Sequence, residues 1–468
     1  MLSTSNFTLK HILTFISFFA IALVMGVMTT EFSSGTLISL VLGLSFFIAA
    51  FMNTELGLYL LIFSMLLSPE ISVGGGGGEV AQRGGVSVRL DDFLLLVIGL
   101  SWFAKTAINK ELGLFLKTPL NKPIFFYLII CLISTAMGVM GGRVDAKVGF
   151  FYVLKYFEYF IVYFMMVNHL ENRDQVNRFL ICLFITCFVV AIYGMIQIPL
   201  DGRVSAPFEG EQGEPNTLGG YLLFVGALAA GLFPKIEDPK AKLFTGLLIF
   251  TIIPPLLYTY SRSTYVSILP AALYLMIRST RPQILIGIFL ALLVASPFLL
   301  PKTVMERIKH TVGQAERMGQ VQVGDIRLDT SISARLNSVE KVAIGFIQQP
   351  VLGHGVTGFS FLDAQYFRVL VETGLIGLLA FIYLIISIFK LAIRTSRQLV
   401  TPYYKGLVFG FIAGFIGLLV HAVGANTFII VRIMEPFWFT AAIVFALPKI
   451  EAQEHDAGAP AVSMGHRE

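Results

Sequence analysis

The sequence predicts an all-α integral membrane protein of about 14 transmembrane helices, with one large loop that contains short helices. Three observations predict it. Of 468 residues, 56% are hydrophobic and 13% charged, whereas a soluble globular chain carries roughly 25% charged residues. The mean hydropathy is +0.79. Apolar runs of ~18 residues or more recur along almost the whole chain, and a helix of that length crosses the hydrocarbon while satisfying its own backbone.

The expected spans are 11–29, 35–52, 55–68, 92–108, 123–140, 148–167, 178–198, 216–233, 242–258, 263–278, 282–300, 366–389, 404–423 and 428–447. The first run has the look of a secretory leader, but it lacks a small-x-small cleavage site and SNFTLKH is a weak basic flank; it reads as a retained span. Residues 69–91 carry Gly74 to Gly78, a flexible insert without evident chemistry. Cys131, Cys182 and Cys187 lie inside apolar runs and read as small core residues rather than as a metal site or disulfide framework.

Loop charge sets the orientation. Lys105, Lys110, Lys117 and Lys122 against Glu111 make one loop net +3; Lys390, Arg394, Arg397 and Lys405 make another net +4. Asp201, Glu209, Glu211 and Glu214 against Arg203 make a third net −3. Parity through the spans puts the basic loops on one side and the acidic loop on the other, so the positive-inside rule places both termini in the cytoplasm. The basic residues form no single stripe, which argues against nucleic acid as a partner.

The chain divides into N-terminal spans 1–140, central spans 141–300, an outer loop 301–362, C-terminal spans 363–448 and a polar tail 449–468 that reads as disordered. A loop of that length is long for a compact membrane protein and is of the kind that forms lids or binding segments. KTVMERIKHTVGQAERM and SARLNSVEKVAIGFIQQP within it have helical spacing and predict two short helices on the membrane surface.

Candidate chemistry lies on the outer side. Arg143, Arg203, Arg262, Arg335, Arg368 and Arg432 fall at or near span ends. Each could snorkel to headgroups or pair with a carboxylate. Together they predict an anion pocket, because guanidinium matches phosphate bidentately and stays charged. Ser261, Ser263 and Thr264 add hydroxyls around Arg262. GHGVTG at 353–358 lacks the lysine and preceding strand of a nucleotide loop. Lys155 and Glu158 share a helix face inside a span, as a mutually satisfied pair or as the lining of a polar cavity. Asp363, Gln365, Arg368 and Glu372 precede the body of the span 366–389, either as an entry turn with an Arg368–Glu372 salt bridge or as a general base with acceptor contacts. His354 and His421 are lone histidines, and no carboxylate or histidine spacing indicates a metal or other cofactor site.

Five stretches in order resemble the O-antigen ligase and Wzy-type polymerase superfamily: YVLKYFEYFIVYFMMV (152–167), PFEGEQGEPNTLGGYLLF (207–224), YSRSTYVSILPA (260–271), ARLNSVEKVAIGFIQQPVLGHGVTGF (334–359) and YFRVLVETGLIGLLAFI (366–382). The resemblance covers roughly residues 140–445, and the motif order around a large loop is its specific part. It implies a GT-C-like, metal-independent, inverting glycosyltransferase of the bacterial inner membrane with a periplasmic active site. The donor it implies is a glycan on undecaprenyl diphosphate. The acceptor is a growing polysaccharide or a lipid, and chain-length regulator proteins are partners it admits. Arg262 and Arg335 match the family's two arginines, which would hold the diphosphate. The ligases carry a histidine, their proposed base, eleven residues before the glycine of the GLIG turn; here that position is Asp363. The departure favours a polymerase of O-antigen or exopolysaccharide repeat units over a ligase that transfers glycan to lipid A core. In place of the histidine, Asp363 stands as the candidate base, with His354 and Glu372 as further candidates. A polysaccharide transporter or flippase fits the span number, but no paired halves are visible in the sequence.

Overall fold

A computed structural model of the chain describes residues 45, 48, 52–68, 70–73, 86–89, 92–100, 118–200, 202–209, 213–278, 282–283, 322–323, 326–327, 330–360 and 362–458. The expected span 11–29, nearly all of the expected spans 35–52 and 282–300, the glycine run and the expected helix at 302–318 lie outside them.

The protein is helical. In chain order the helices are α1 (Thr54–Leu67), α2 (Asn121–Met140), α3 (Ala146–His169), α4 (Arg173–Gln197), α5 (Pro215–Leu232), α6 (Pro239–Tyr258), α7 (Arg262–Arg278), α8 (Thr330–Gln348), α9 (Gln365–Gln398), α10 (Pro402–His421) and α11 (Val431–Gly458), with a further helical stretch at 92–100. Two antiparallel ribbons accompany them: β1 (Glu70–Val73) with β2 (Val86–Arg89), and β3 (Gln322–Val323) with β4 (Ile326–Arg327). The first pair brackets the glycine-rich insert. Among the described residues eight helices are long and apolar enough to cross a membrane: α2 to α6 and α9 to α11. α1 is shorter, and α7, at 17 residues, falls just short.

Two expected boundaries move. α9 continues to Gln398, well past residue 389, because Lys390, Arg394 and Arg397 are good helix formers that carry the helix beyond its apolar run. α11 runs to Gly458, so the first ten residues of the expected disordered tail, 449–458, are helical. Glu451 and Glu454 explain part of this. The Glu451 carboxylate accepts from the backbone N–H groups of Val400 and Thr401, and Glu454 accepts from the Tyr404 hydroxyl at 3.0 Å.

Which helices are central follows from burial. The most apolar windows of α11, α5 and α10 are 83%, 72% and 67% buried, against 33% for α6 and α9. α5 and α10 approach most closely where both lack side chains: a Cβ at Gly231 would sit 2.5 Å from the Gly410 Cα. Such small-residue contacts let membrane helices pack backbone to backbone where the lipid supplies no hydrophobic drive. Around this axis Phe224, Phe411, Phe415, Phe437 and Trp438 form an aromatic core with centroid separations of 5.2–6.3 Å.

The connections sort to two ends. At one, residues 170–172, 236–238 and 399–401 gather, with Tyr403 donating to Asn177 at 3.0 Å and Arg173 over the rings of Tyr403 and Tyr404. Lys405 lies here and Lys390, Arg394 and Arg397 run toward it. At the other end, called here the motif end, lie Ser68, 141–145, 202–209, 213–214, 259–261, 350–360, 362–364 and 422–430, cross-linked by hydrogen bonds between them. The basic loop 399–405 and the described residues 202–209 and 213–214 of the acidic loop, with Arg203, Glu209 and Glu214, therefore occupy opposite ends of the bundle, in keeping with the parity read from the sequence.

Candidate functional site

The site is built around a break in α9. Gly374 has φ 69° and ψ −170°, and helical geometry resumes beyond it. Breaking a helix leaves carbonyls and N–H groups without intrahelical partners. Here the turn from Pro350 to Gly355 takes them up. His354 N donates to Val371 O at 2.9 Å and Gly355 N to Glu372 O at 2.8 Å; Leu375 N donates to Pro350 O at 2.9 Å and Ile376 N to Val351 O at 3.3 Å. The Ser134 hydroxyl of α2 lies 2.5 Å from Leu352 O and 2.7 Å from Glu372 O, joining turn and break. The approach is so close that a Cβ on Gly353 (φ 69°) would stand 2.6 Å from Gly374 N. This contact explains the glycines of both motifs.

The side chains of this knot are committed. Glu372 Oε1 accepts from Arg368 Nε at 3.0 Å and from Thr357 N at 3.1 Å. Thr357 itself has φ 67°, a strained value for a non-glycine residue. His354 is 7% exposed, packs against Phe359, and its Nε2 donates to Gly345 O at 2.9 Å. Gln365 is 1% exposed, accepts from Phe428 N at 3.1 Å, and donates its own backbone N–H to Ala422 O. These three sequence candidates thus bond to the backbone of neighbouring segments. The salt-bridge reading of Arg368 and Glu372 is the one seen. Asp363 is exposed and lies just ahead of α9, whose N-cap is Ala364.

A second wing holds Arg262. The loop 202–209 runs beside the end of α6: Val204 N donates to Tyr258 O and Arg203 Nε to Thr259 O, both at 3.0–3.1 Å. Tyr260 then turns through φ 51°, Ser261 caps the next turn by accepting from Thr264 N, and Arg262 opens α7 half-buried. Thr264 packs onto Gly219 of α5, so the Ser-Arg and Pro-Asn motifs, distant in sequence, meet here.

Arg432 is 2% exposed and clamps the loop from behind. Its Nη1 donates to Pro207 O at 2.7 Å, its Nη2 to Ser68 O at 3.3 Å, and Glu209 Oε1 lies 3.6 Å away. Glu209 also accepts from Ala206 N and Glu214 N. Burial pushes the Glu209 carboxyl up to about 8; the Arg432 charge opposes this and Glu214 adds to it. Of the six arginines, Arg432, Arg368 and Arg143 make contacts to backbone carbonyls or carboxylates of the fold. Arg143 lies over Gly141, with Nη2 3.4 Å from Met137 O at the end of α2. Arg203 and Arg262 share one wing. Arg335 belongs to α8, whose C-terminal half packs on α9 through Val342, but its side chain lies outside the described residues.

Lys155 pairs with Asp92 as well as with Glu158, the latter at 3.3 Å, and sits 5.4 Å from the Phe151 ring centroid. Asp92 escaped the sequence reading, since nothing local ties it to a residue on another helix. Among the described residues no three His, Cys, Asp or Glu side chains gather as metal ligands.

Both wings fall in or beside one region that known proteins share. Residues 246–382 match the family model of the O-antigen ligases. The matched region runs from α6 through Arg262, α8 and the turn 350–355 to the break at Gly374, and it bears out the superfamily resemblance. No curated protein matches the chain.

Proposed function

We propose that the chain is a membrane glycosyltransferase that polymerises undecaprenyl-diphosphate-linked oligosaccharide repeat units at the periplasmic face of the bacterial inner membrane. The observation that supports this best is the O-antigen ligase match together with the convergence of its motifs at one end of the bundle, opposite the basic loop. In this reading the motif end faces the periplasm and both termini are cytoplasmic.

Arg262 and Arg335 hold the donor diphosphate and stabilise the negative charge that grows on it as the glycosidic bond transfers. Arg203, bonded next to Arg262, adds positive charge to the same wing. Asp363 accepts the proton of the acceptor hydroxyl, and the acceptor then displaces the lipid diphosphate with inversion and without a metal. His354, Glu372 and Gln365 hold the knot that presents Asp363. A second reading, transfer of the finished glycan to lipid A core, keeps its place because the matched family is described by ligases. Asp363 in the position of the ligases' histidine favours the polymerase.

The test is made in cells that lack the chromosomal copy and carry Arg262→Lys or Arg335→Lys. Lysine keeps the charge and loses the bidentate fork. Polymer should fall sharply at unchanged protein level. Full-length polymer from both variants would remove the diphosphate role.

A further inference from the structure

Asp363 stands out from a stretch of chain that is otherwise buried and bonded. Leu362 is 3% exposed and Gln365 1%, whereas Asp363 between them is exposed. The loop 422–430, which joins α10 to α11, holds this stretch on both sides. On the N-terminal side of Asp363, Asn426 Nδ2 donates to Leu362 O at 2.7 Å. On the C-terminal side, Gln365 N donates to Ala422 O and Phe428 N to Gln365 Oε1, both at 3.1 Å. The Tyr366 hydroxyl donates to Leu419 O, in the last turn of α10, at 2.7 Å. The loop is itself fixed. Ile429 N donates to Asn426 O at 3.1 Å, His421 Nδ1 lies 2.8 Å from Thr427 Oγ1, and Phe428 O accepts from the Tyr159 hydroxyl of α3 at 3.3 Å. Asn426 is 8% exposed, and its Oδ1 is buried without a hydrogen-bond partner among the described residues. An unpaired buried amide oxygen is costly, and a side chain kept only to tie two segments together has no need of one.

We propose that Asn426 is a positioning residue for glycosyl transfer. It fixes the peptide between Leu362 and Asp363, and through it the place from which the Asp363 carboxylate meets the acceptor hydroxyl. The inference rests on the reading of Asp363 as the base. A base works only within hydrogen-bond reach of the proton it takes, and a misplacement of ~1 Å can cost about 10²-fold in rate. The start of α9 does not hold Asp363 by itself, because its N-cap, Ala364, makes no side-chain capping bond. With Gln365 tied and Leu362 released, Asp363 can swing about the helix start. The Asn426 amide removes that freedom.

The test is single-turnover transfer by the purified full chain in nanodiscs, with labelled undecaprenyl-diphosphate-linked repeat units as donor and acceptor. The amplitude counts correctly folded protein, and the rate constant reports transfer. Asn426→Ala should lower the rate constant about tenfold or more, with amplitude and donor affinity within about twofold of wild type. Asn426→Asp keeps the shape and loses the N–H donor. It should show the same loss, and it keeps the test open if the alanine variant folds poorly. Asp363→Asn and the double variant Asp363→Asn with Asn426→Ala complete a cycle. If Asn426 works through Asp363, the double variant should be no more than about twofold slower than Asp363→Asn alone. A wild-type rate constant in Asn426→Ala, a loss of amplitude alone, or losses that multiply in the double variant overturns the proposal and leaves Asp363 as the base. Failure of the base reading is a different result: a near-wild-type rate constant in Asp363→Asn, which removes the positioning role with it.

Discussion

Replacing Gly374 with alanine probes the helix break directly. At φ 69° and ψ −170° the backbone occupies a region open essentially to glycine alone, and forcing an L-residue there costs roughly 1–3 kcal/mol. A Cβ would also run into Val351 O and stand 2.6 Å from Leu352 N. Those neighbours are backbone, so they can yield only by opening the turn. Opening it sacrifices the Leu375 N–Pro350 O and Ile376 N–Val351 O bonds, each worth about 0.5–1.5 kcal/mol. The sum is a loss of about 2–6 kcal/mol. The assay is equilibrium unfolding in mixed micelles, with Gly226→Ala as control. Gly226 is helical and a Cβ there meets only Ile252, at 3.7 Å, so that variant should match or slightly exceed the wild type. If Gly374→Ala also lies within about 0.5 kcal/mol of wild type, the break does not depend on glycine and the knot described above is wrong.

Three further outcomes are expected. Asp363→Asn should lower single-turnover transfer by about 10²-fold or more while donor affinity holds; since Ala364 is the N-cap, near-normal transfer would show that Asp363 is not the base. Glu209 carries a folded-state carboxyl raised to about 8, so the folded protein holds a proton that the unfolded chain releases near the ordinary carboxylate value. Its contribution to stability is full below that ordinary value and is lost as pH rises through about 8; Glu209→Gln should flatten this part of the unfolding profile, and an unchanged slope would count against it. Transfer by the purified protein should survive EDTA, and loss restored by Mg²⁺ or Mn²⁺ would require a metal in the mechanism.

What could be read in advance was local. Apolar run length located the helices, and helical spacing alone paired Arg368 with Glu372 and Lys155 with Glu158. Contacts between distant segments were out of reach of any periodicity. Asp92 meets Lys155 from another helix, and Arg432 clamps Pro207 and Ser68 from the far end of the chain. The run 366–389 reads as one span because Gly374 lies among apolar residues, and only its contact with the turn 350–355 makes it a break. His354 as a candidate base and Gln365 as a substrate contact rest on residue type, whereas their hydrogen bonds to the backbone of Gly345 and Phe428 come from segments no local pattern joins to them.

The central claim is repeat-unit polymerisation at the motif end, and reconstitution tests it most directly. Purified protein in nanodiscs is given labelled undecaprenyl-diphosphate-linked repeat units, with or without lipid A core, and products are resolved by length. The account expects a ladder of lipid-linked oligomers from repeat units alone, and none from Arg262→Lys. Products that appear only when lipid A core is present, each bearing a single transferred glycan, would contradict it and make the chain a ligase.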